Sequence, residues 1–448
     1  MPTDATRPDT IYALSSGAGM AGVAVVRISG SCTDNLLKKL GISALPKARY
    51  AALHNLSTLD GADIIDQALV LRFPAPASFT GEDVAELHVH GSEAVLDRLF
   101  REIGDSGLAR LAEPGEFTRR AFENGKLDLT GAEALGDLIA ARTDRQRRQA
   151  LRQYDGGLAA LYDGWRTRLI GIMAHAEAEI DFSDEELPEA LHTQVVANIN
   201  EIIQEINQHR HTGLLGESIR LGLPVVIVGA PNVGKSSLLN TIAHRDAAIV
   251  SEEAGTTRDV VEVQINLGGF AVALQDTAGI HGARGAVEQE GIRRAEQRAV
   301  EAALVVAVLD ATTDTIPDRI RRLIDERTIV VANKIDLLDG SLDQIAGIPV
   351  DYTVSVKTGA GIDAFLAALE DHVSRMLSGH EGLVPTRARH REALAEAADA
   401  LDRAMTAKLP ELAAEDIRLA VRALGRITGR VDIDEMLDAV FRDFCIGK

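Results

Sequence analysis

The eight residues at positions 229–236 constrain the fold of this chain more than any other segment. Their letters, GAPNVGKS, fit the phosphate-loop pattern, with an apolar run before them at 224–229 and helix-forming residues after them at 238–240. In that context backbone N–H groups cradle phosphate oxygens, Lys235 neutralises the β- and γ-phosphates, and Ser236 binds Mg²⁺. The segment predicts a nucleotide-binding α/β domain. A glycine turn between a strand and a helix is the simpler alternative.

Four shorter motifs follow in chain order. GTTRD at 255–259 offers Thr257 as a second Mg²⁺ ligand, and DTAG at 276–279 places Asp276 at the end of an apolar run, facing the metal. NKID at 333–336 supplies Asp336, whose carboxylate can accept both guanine N1–H and N2–H, which adenine does not present. SVK at 355–357 adds a loop on the base side. Five motifs in this order, each at a strand end, predict a GTP-hydrolysing domain.

The predicted nucleotide contacts lie in or beside these motifs. They are Asn232, Val233, Gly234, Lys235, Ser236, Ser237, Ser251, Glu252, Glu253, Ala254, Gly255, Thr256, Thr257, Asp276, Thr277, Ala278, Gly279, Asn333, Lys334, Asp336, Ser355, Val356 and Lys357.

Two positions depart from the Ras pattern. Ile280 follows the DTAG motif, where Ras-like enzymes place a glutamine that orients water. Since an aliphatic side chain cannot orient water, Glu288 is the candidate catalytic group, although an acid that starts a helix is the plain alternative. Asn232, inside the phosphate loop, could hold a monovalent cation beside the phosphates, or it could simply form a turn.

Changes in pattern divide the chain into segments. Residues 1–123 mix short β-like runs with Gly and Pro turns, which predicts a small α+β domain. Residues 124–219 have helical periodicity and are rich in Ala, Leu, Arg and Glu, and that composition returns at 380–448. Between them, at 220–379, strand runs alternate with helices. The predicted fold class is therefore an α+β N-terminal domain and an all-α helical domain, with a Ras-like α/β G domain inserted between two helical halves that pack together.

Composition narrows the setting. Hydrophobic residues make up 46% and charged residues 25% of the chain, as in soluble globular proteins, and no apolar run is long enough to span a membrane. Only Cys32 and Cys445 occur and the N-terminus lacks a signal-peptide pattern, so we expect a cytoplasmic protein. The net charge of -20 repels phosphate backbones, so a nucleic-acid substrate would require a local basic patch or a partner protein.

The chain resembles the MnmE (TrmE) family of tRNA modification GTPases from about residue 9 to residue 448. Besides the G-domain motifs, the resemblance rests on VRISG at 26–30, SFTGED at 78–83, PGEF at 114–117, KLDL at 126–129 and FCIGK at 444–448. It implies a homodimer formed through the N-terminal domains, which bind a formyl-tetrahydrofolate-type cofactor. It also implies an FAD-binding partner, MnmG (GidA). Together the two proteins would add an aminomethyl or carboxymethylaminomethyl group to C5 of the wobble uridine of certain tRNAs.

The resemblance also implies roles for single residues. The family's folate positions fall on Arg27, Glu86, Lys126 and Lys448, where surface ion pairs are the alternative. Cys445 would lie beside the modified base, although a buried structural thiol is equally compatible with the sequence.

A potassium ion would be held by Asn232, Ser251, Glu253 and Thr256 and would promote G-domain dimerisation. Glu288 would position the attacking water. His281 stands where family members often carry an arginine, which leaves that side chain's auxiliary role unsupported.

Two alternatives remain open at this level. A basic stretch on a predicted helix would contact tRNA or the partner, or would form a solvated face; its members are Arg142, Arg145, Arg147, Arg148 and Arg152. The chain as a whole could instead be a GTP-gated assembly factor of the ribosome-biogenesis type. Such factors share the style of phosphate loop but do not need the folate residues or the terminal CIGK.

Overall fold

The computed structural model describes residues 9–181, 189–245, 262–276 and 298–431 except 301, 339, 341 and 378–381, together with 437, 440, 441, 444 and 447. The chain forms two compact units. One comprises residues 1–136, 154–166 and 424–448, and the other comprises residues 137–153 and 167–423.

A six-stranded sheet forms the centre of the first unit. Its strands are β1 (Thr10–Leu14), β2 (Ala21–Ser29), β3 (Ala52–Ser57), β4 (Ile64–Phe73), β5 (Val84–Gly91) and β6 (Ala109–Leu111). Their order is β3-β4-β5-β2-β1-β6, antiparallel except for the β1–β6 pair. Helices α1 (Thr33–Lys39) and α2 (Glu93–Asp105) cover one face, where Val26, Leu36, Leu87 and Leu99 are fully buried.

The opposite face of this sheet is different in character. Side chains alternate between the two faces of a strand, so Leu53 and Leu69, which pair across β3 and β4, point away from the helices. They are 59% and 44% exposed, respectively. At β3 and β4 this face therefore presents apolar side chains that no described element of the unit covers, whereas at β1 it is covered by Phe117 of the helix that follows β6.

Eight helices of the described chain follow the first sheet in sequence and do not belong to the inserted domain. They are α3 (Glu116–Glu123), α4 (Leu129–Ala140), α5 (Asp144–Tyr154), α6 (Gly157–Asp181), α7 (Glu189–His211), α8 (Gly213–Leu221), α12 (Ala388–Thr406) and α13 (Pro410–Thr428). Three helices of the inserted domain come between α8 and α12 in the chain: α9 (Lys235–Arg245), α10 (Asp318–Arg321) and α11 (Ile362–Leu377). Helix α7 packs against α12, and the Glu217 carboxylate on α8 accepts hydrogen bonds from Arg391 on α12 at 2.7 and 3.1 Å. The helices on either side of the insertion thus pack together, as predicted.

The inserted domain is built on a second six-stranded sheet. Its strands are β7 (Leu223–Val228), β8 (Glu262–Leu267), β9 (Phe270–Asp276), β10 (Leu304–Asp310), β11 (Thr328–Asn333) and β14 (Tyr352–Val354), and a small hairpin adds β12 (Gln344–Ile345) and β13 (Ile348–Pro349). The order is β14-β11-β10-β7-β9-β8, and only β8 is antiparallel. The helices are α9 (Lys235–Arg245), α10 (Asp318–Arg321) and α11 (Ile362–Leu377).

These elements confirm the predicted fold class. The α+β domain, the helical domain and the Ras-like α/β domain inserted into it all occur, and the strands lie where the apolar runs predicted them. Among the described residues no helix is both long enough and apolar enough to cross a membrane.

Candidate functional site

The phosphate loop lies between β7 and α9, at the edge of the sheet where the parallel strands end. Gly234 has a φ of +100°, and a Cβ on it would lie 2.3 Å from Asn333 Nδ2. Only glycine combines that backbone conformation with so close an approach. Asn232 also has a positive φ, +62°, a conformation that asparagine tolerates better than most residues. Its backbone is therefore in the turn conformation that the sequence left as one alternative for this residue.

Lys235 is the first residue of α9 and is only 7% exposed. Its Nζ donates hydrogen bonds to the carbonyl oxygens of Gly229 and Ala230, at 3.0 and 2.9 Å. A buried ammonium group needs such acceptors, and the loop's own carbonyls supply them. The positive charge is thereby held inside the loop whose N–H groups favour phosphate.

Asn333, at the end of β11, connects the phosphate loop to the base-side loop. Its Nδ2 donates to the Val233 carbonyl at 2.8 Å, and its Oδ1 accepts the Val356 N–H at 3.1 Å. The residue is 3% exposed, so both groups are satisfied in the interior. One side chain thus fixes the spacing between the two loops that must contact opposite ends of a nucleotide.

The base-side carboxylate is also fixed by a partner. Asp336 Oδ1 accepts the hydroxyl of Ser355, which is completely buried, at 2.6 Å. Ser355 Oγ accepts the Thr358 N–H at 3.2 Å. This chain of hydrogen bonds orients Asp336, whose acceptors match the N1–H and N2–H edge of guanine.

Lys334 forms an ion pair that the sequence did not predict. Its φ is +73°, and its Nζ lies 2.6 Å from Asp310 Oδ2 at the end of β10. Burial raises the pKa of Asp310, but hydrogen bonds from Lys334 and Thr312 outweigh it and hold that pKa below its usual value. Asp310 ends an apolar run at 303–310 in the sequence, just as Asp276 ends its own run, and this pattern is the sequence signal for an acid at the end of a strand.

Several predicted residues lie outside the described part of the chain. They are Ser251, Glu252, Glu253, Ala254, Gly255, Thr256, Thr257, Thr277, Ala278, Gly279, Ile280, His281, Glu288, Cys445 and Lys448. For Asp276 the structure gives the backbone position, at the end of β9, directly beside the β7 strand that leads into the phosphate loop.

A second cluster of polar side chains lies in the first unit, on β2 and β5. Arg27 and Glu86 are cross-strand partners, and Arg27 Nε and Nη2 both donate to Glu86 Oε1, at 3.2 and 2.9 Å. The guanidinium lies 5.5 Å from the ring centre of Phe79 and 5.8 Å from that of Phe117. Arg27 and Glu86 remain about one-fifth exposed. A cation and a carboxylate that are partly open to solvent thus lie beside two aromatic rings, of which Phe117 is completely buried, and we call these four residues the Arg27 cluster.

Two further segments contact elements that adjoin this cluster in the chain or in the sheet: the 78–83 loop, which carries Phe79, and β1, which pairs with β2. Lys126 is exposed and passes over Gly81, where a Cβ would lie 3.2 Å from Lys126 Cε. Gly447 accepts a hydrogen bond from Ser15 Oγ at 2.8 Å, and a Cβ on it would lie 2.0 Å from the Leu14 carbonyl oxygen, so Gly447 lies directly against the end of β1. The phenylalanines were not singled out from the sequence, although Phe79 and Phe117 belong to the SFTGED and PGEF motifs.

The predicted basic stretch begins before α5, because Arg142 precedes the helix, and it does not form one continuous surface. Arg142 Nη1 donates to Gln264 on β8 at 3.1 Å, and Arg145 Nη1 donates to the Leu377 carbonyl at 3.0 Å. Arg147 and Arg148 instead pair with Asp144 on their own helix and are at least half exposed. Two of the five arginines therefore contact the inserted domain, which leaves a smaller basic face than the sequence predicted.

Loops for phosphate and for guanine meet at one edge of a parallel sheet in this chain, and this arrangement defines a GTP-hydrolysing protein of the Ras-like class. Family models extend the assignment over the rest of the chain. The model described as "MnmE helical domain" matches residues 129–445, and the one described as "GTP-binding protein TrmE N-terminus" matches residues 10–126. The chain belongs to the MnmE family.

Full-length relatives agree with this assignment. A "tRNA modification GTPase MnmE" of Paramagnetospirillum magneticum is 51% identical over 443 residues, covering 98% of this chain and 100% of that protein. The protein of the same name from Rhodospirillum rubrum is 49% identical over 453 residues, covering 98% and 99%. Among solved structures, a single-residue variant of Aquifex aeolicus Era bound to GDP and AlF4- is 26% identical, with a TM-score of 0.27, covering 42% of this chain and 69% of that one. The G domain of the T. maritima FeoB iron transporter is 24% identical, with a TM-score of 0.26, covering 34% and 98%.

Proposed function

We propose that this GTPase, with an FAD-dependent MnmG-type partner, modifies tRNA. The pair would add an aminomethyl or carboxymethylaminomethyl group to C5 of the wobble uridine, using a one-carbon unit from a tetrahydrofolate. The single observation that carries this proposal is that relatives named tRNA modification GTPase align with the chain from end to end. Within it, residues 1–123 bind folate and dimerise, residues 220–379 hydrolyse GTP, and residues 124–219 and 380–448 form the helical domain that connects them.

The Arg27 cluster supports the folate assignment. A folate carries a flat pterin with donor groups, an aromatic ring and an anionic glutamate tail. The site offers a carboxylate at Glu86 for donors, a cation at Arg27 for an anion, and the partly exposed ring of Phe79 for a flat surface, with the buried Phe117 ring behind Arg27. Lys126 and the terminal Lys448 would add positive charge. A surface ion pair between Arg27 and Glu86 would not need aromatic rings beside it. The rings therefore favour a binding site for 5-formyl-tetrahydrofolate or a related compound over a plain surface ion pair.

From the sequence motifs of the GTP site we infer Mg²⁺ and K⁺ as cofactors. Ser236 and Thr257 would hold Mg²⁺, which supplies charge stabilisation on the phosphates when bound. Asn232, Ser251, Glu253 and Thr256 would hold K⁺, and Glu288 would orient water in place of the missing glutamine. Lys235, whose Nζ is held by the carbonyl oxygens of Gly229 and Ala230, would neutralise the phosphates.

The exposed sheet face supports dimerisation of the first unit. Leu53 and Leu69 form an apolar pair on the part of this face, at β3 and β4, that no described element of the unit covers, and such surfaces mark interfaces. A homodimer working in the cytoplasm alongside tRNA and its partner is the assembly we propose. With a net charge of -20, most of the basic tRNA surface would come from the partner.

Mass analysis of wobble uridines tests the proposal. Cells lacking the chain are complemented with the wild type or with Lys235→Ala, which cannot neutralise the phosphates. We expect the modified nucleoside to return only with the wild type. Unchanged wobble uridines in cells without the chain would refute the proposal and would favour the alternative of a GTP-gated assembly factor, which ribosome profiles of the same cells would then reveal.

A further inference from the structure

The first unit contains a buried arginine, outside the Arg27 cluster, that is bonded to both segments that carry the aromatic rings of that cluster. This residue is Arg120 on α3, whose side chain is 9% exposed. Its Nη1 donates to both carboxylate oxygens of Glu82, at 3.1 and 3.0 Å. Its Nη2 donates to the Asp9 carbonyl at 2.7 Å and to Glu116 Oε1 at 3.0 Å. A charge this deep requires such a complete set of partners.

The first of these partners belongs to the loop between β4 and β5. Glu82 also accepts the Ser29 hydroxyl at 2.7 Å, and the Thr80 carbonyl of the same loop accepts Asn124 Nδ2 at 2.7 Å. The loop is thereby attached to β2, to the middle of α3 through Arg120, and to Asn124 directly after α3. Phe79 lies in this loop, three positions before Glu82.

The second partner is the first residue of α3. Glu116 accepts Arg110 Nη1 at 2.8 Å and the Glu113 N–H at 2.9 Å in addition to Arg120. The next residue along the helix is Phe117, which is completely buried. Arg120 therefore joins the 78–83 loop, which carries Phe79, to the start of α3, which carries Phe117.

We propose that Arg120 is a positioning residue for the folate pocket, whose guanidinium fork fixes the 78–83 loop to the start of α3 and so holds Phe79 and Phe117 against Arg27. The inference rests on the proposed folate binding. Lysine at this position would keep the charge but lose the planar fork, and a single ammonium cannot reproduce four directed hydrogen bonds to three residues. A loop displaced by a fraction of an ångström would then weaken ligand binding without removing any group that touches the ligand.

Isothermal titration calorimetry of the full-length protein with 5-formyl-tetrahydrofolate tests the positioning role of Arg120. We expect Arg120→Lys to raise the Kd by about tenfold while the number of binding sites per chain and the GTP turnover stay at wild-type values. Arg119→Lys is the matched control, because Arg119 is the adjacent arginine and pairs on the surface with Glu123. We expect this control to bind like the wild type.

A second variant separates positioning from simple stabilisation. Arg120→Met combined with Glu82→Gln removes both charges and leaves Glu116 paired with Arg110, so no carboxylate is left buried without a cation. If Arg120 positions the loop, the Kd stays raised in this variant even when its melting temperature matches the wild type, and amide exchange in residues 78–83 is faster. A Kd that recovers together with stability, or an Arg120→Lys Kd within twofold of the Arg119→Lys value, overturns the inference and leaves folate binding standing. If the wild type itself binds no folate, the proposed function fails at its folate step and the inference fails with it.

Discussion

The Arg145 guanidinium lies 4.1 Å from the centre of the Phe270 ring. Phe270 is the first residue of β9, the strand that ends at Asp276 in the nucleotide site. The same guanidinium donates to the carbonyl of Leu377, the last residue of α11, so one side chain of α5 contacts two elements of the G domain. A displacement of β9 would therefore change the contacts that hold α5.

Arg145→Ala should separate GTP hydrolysis from tRNA modification. Because Arg145 contacts the far end of β9 and, within the described residues, no nucleotide-binding loop, we expect GTP turnover to remain near the wild-type rate. Wobble-uridine modification should fall roughly fivefold or more, the range of a typical coupling between sites. Arg147→Ala on the same helix is the control, and loss of GTP turnover in Arg145→Ala would contradict the expectation.

Potassium should accelerate GTP hydrolysis relative to sodium at equal ionic strength. Asn232→Gly tests the proposed cation ligand, because glycine accepts the positive φ of +62° and only the amide is removed. We expect the ratio of the rates in K⁺ and Na⁺ to fall by about tenfold or more in this variant. Equal wild-type rates in the two salts would remove potassium from the mechanism.

Glu288→Ala should abolish hydrolysis and spare binding. If Glu288 orients the attacking water, its removal should lower the single-turnover rate by about 10²–10⁴-fold while the GTP Kd stays near normal. Glu290→Ala, two residues along, is the control. Hydrolysis retained in Glu288→Ala would mean that another group orients the water.

Acid should destabilise the helical domain through His209 on α7. Burial, and then the charge of His390, lower its pKa from 6.5 to about 4. Between these values the unfolded chain takes up a proton that the folded chain does not, so stability is complete above pH 6.5 and falls as the pH drops towards 4, by up to roughly 3 kcal/mol. Denaturant unfolding should show that the free energy of unfolding changes less between pH 4 and 7 in His209→Met than in the wild type or in His211→Met.

A charge on the open sheet face should prevent dimerisation. Leu53→Glu and Leu69→Glu would each place a carboxylate within the proposed interface, where a charge without a partner is costly. Analytical ultracentrifugation should show a monomer for these variants and a dimer for the wild type. Leu412→Glu, at a leucine that is 55% exposed on α13, should remain dimeric; a wild-type monomer would exclude this interface.

Local patterns predicted much of the fold because the strands of the G domain are buried and therefore continuously apolar. The phosphate loop, the NKID motif and the insertion of the G domain between two helical segments could all be predicted from such local patterns. Contacts between distant residues were not. Arg142 and Gln264, 122 positions apart, bond across two elements, and nothing in either local sequence indicates the other. Arg120 and Arg145 likewise resemble solvated helix arginines until the partners that surround them are known.

The hydrogen bond between Ser15 and Gly447 joins residues that are 432 positions apart. During synthesis all six strands of the first sheet are available once β6 has left the ribosome. Ser15, directly after β1, can form its hydrogen bond with Gly447 only after most of the remaining chain has been added. A chain interrupted anywhere in that interval would contain the strands of this sheet but not the Gly447 contact beside β1. The geometry at this end of β1 therefore depends on a residue that is synthesised long after the strand itself.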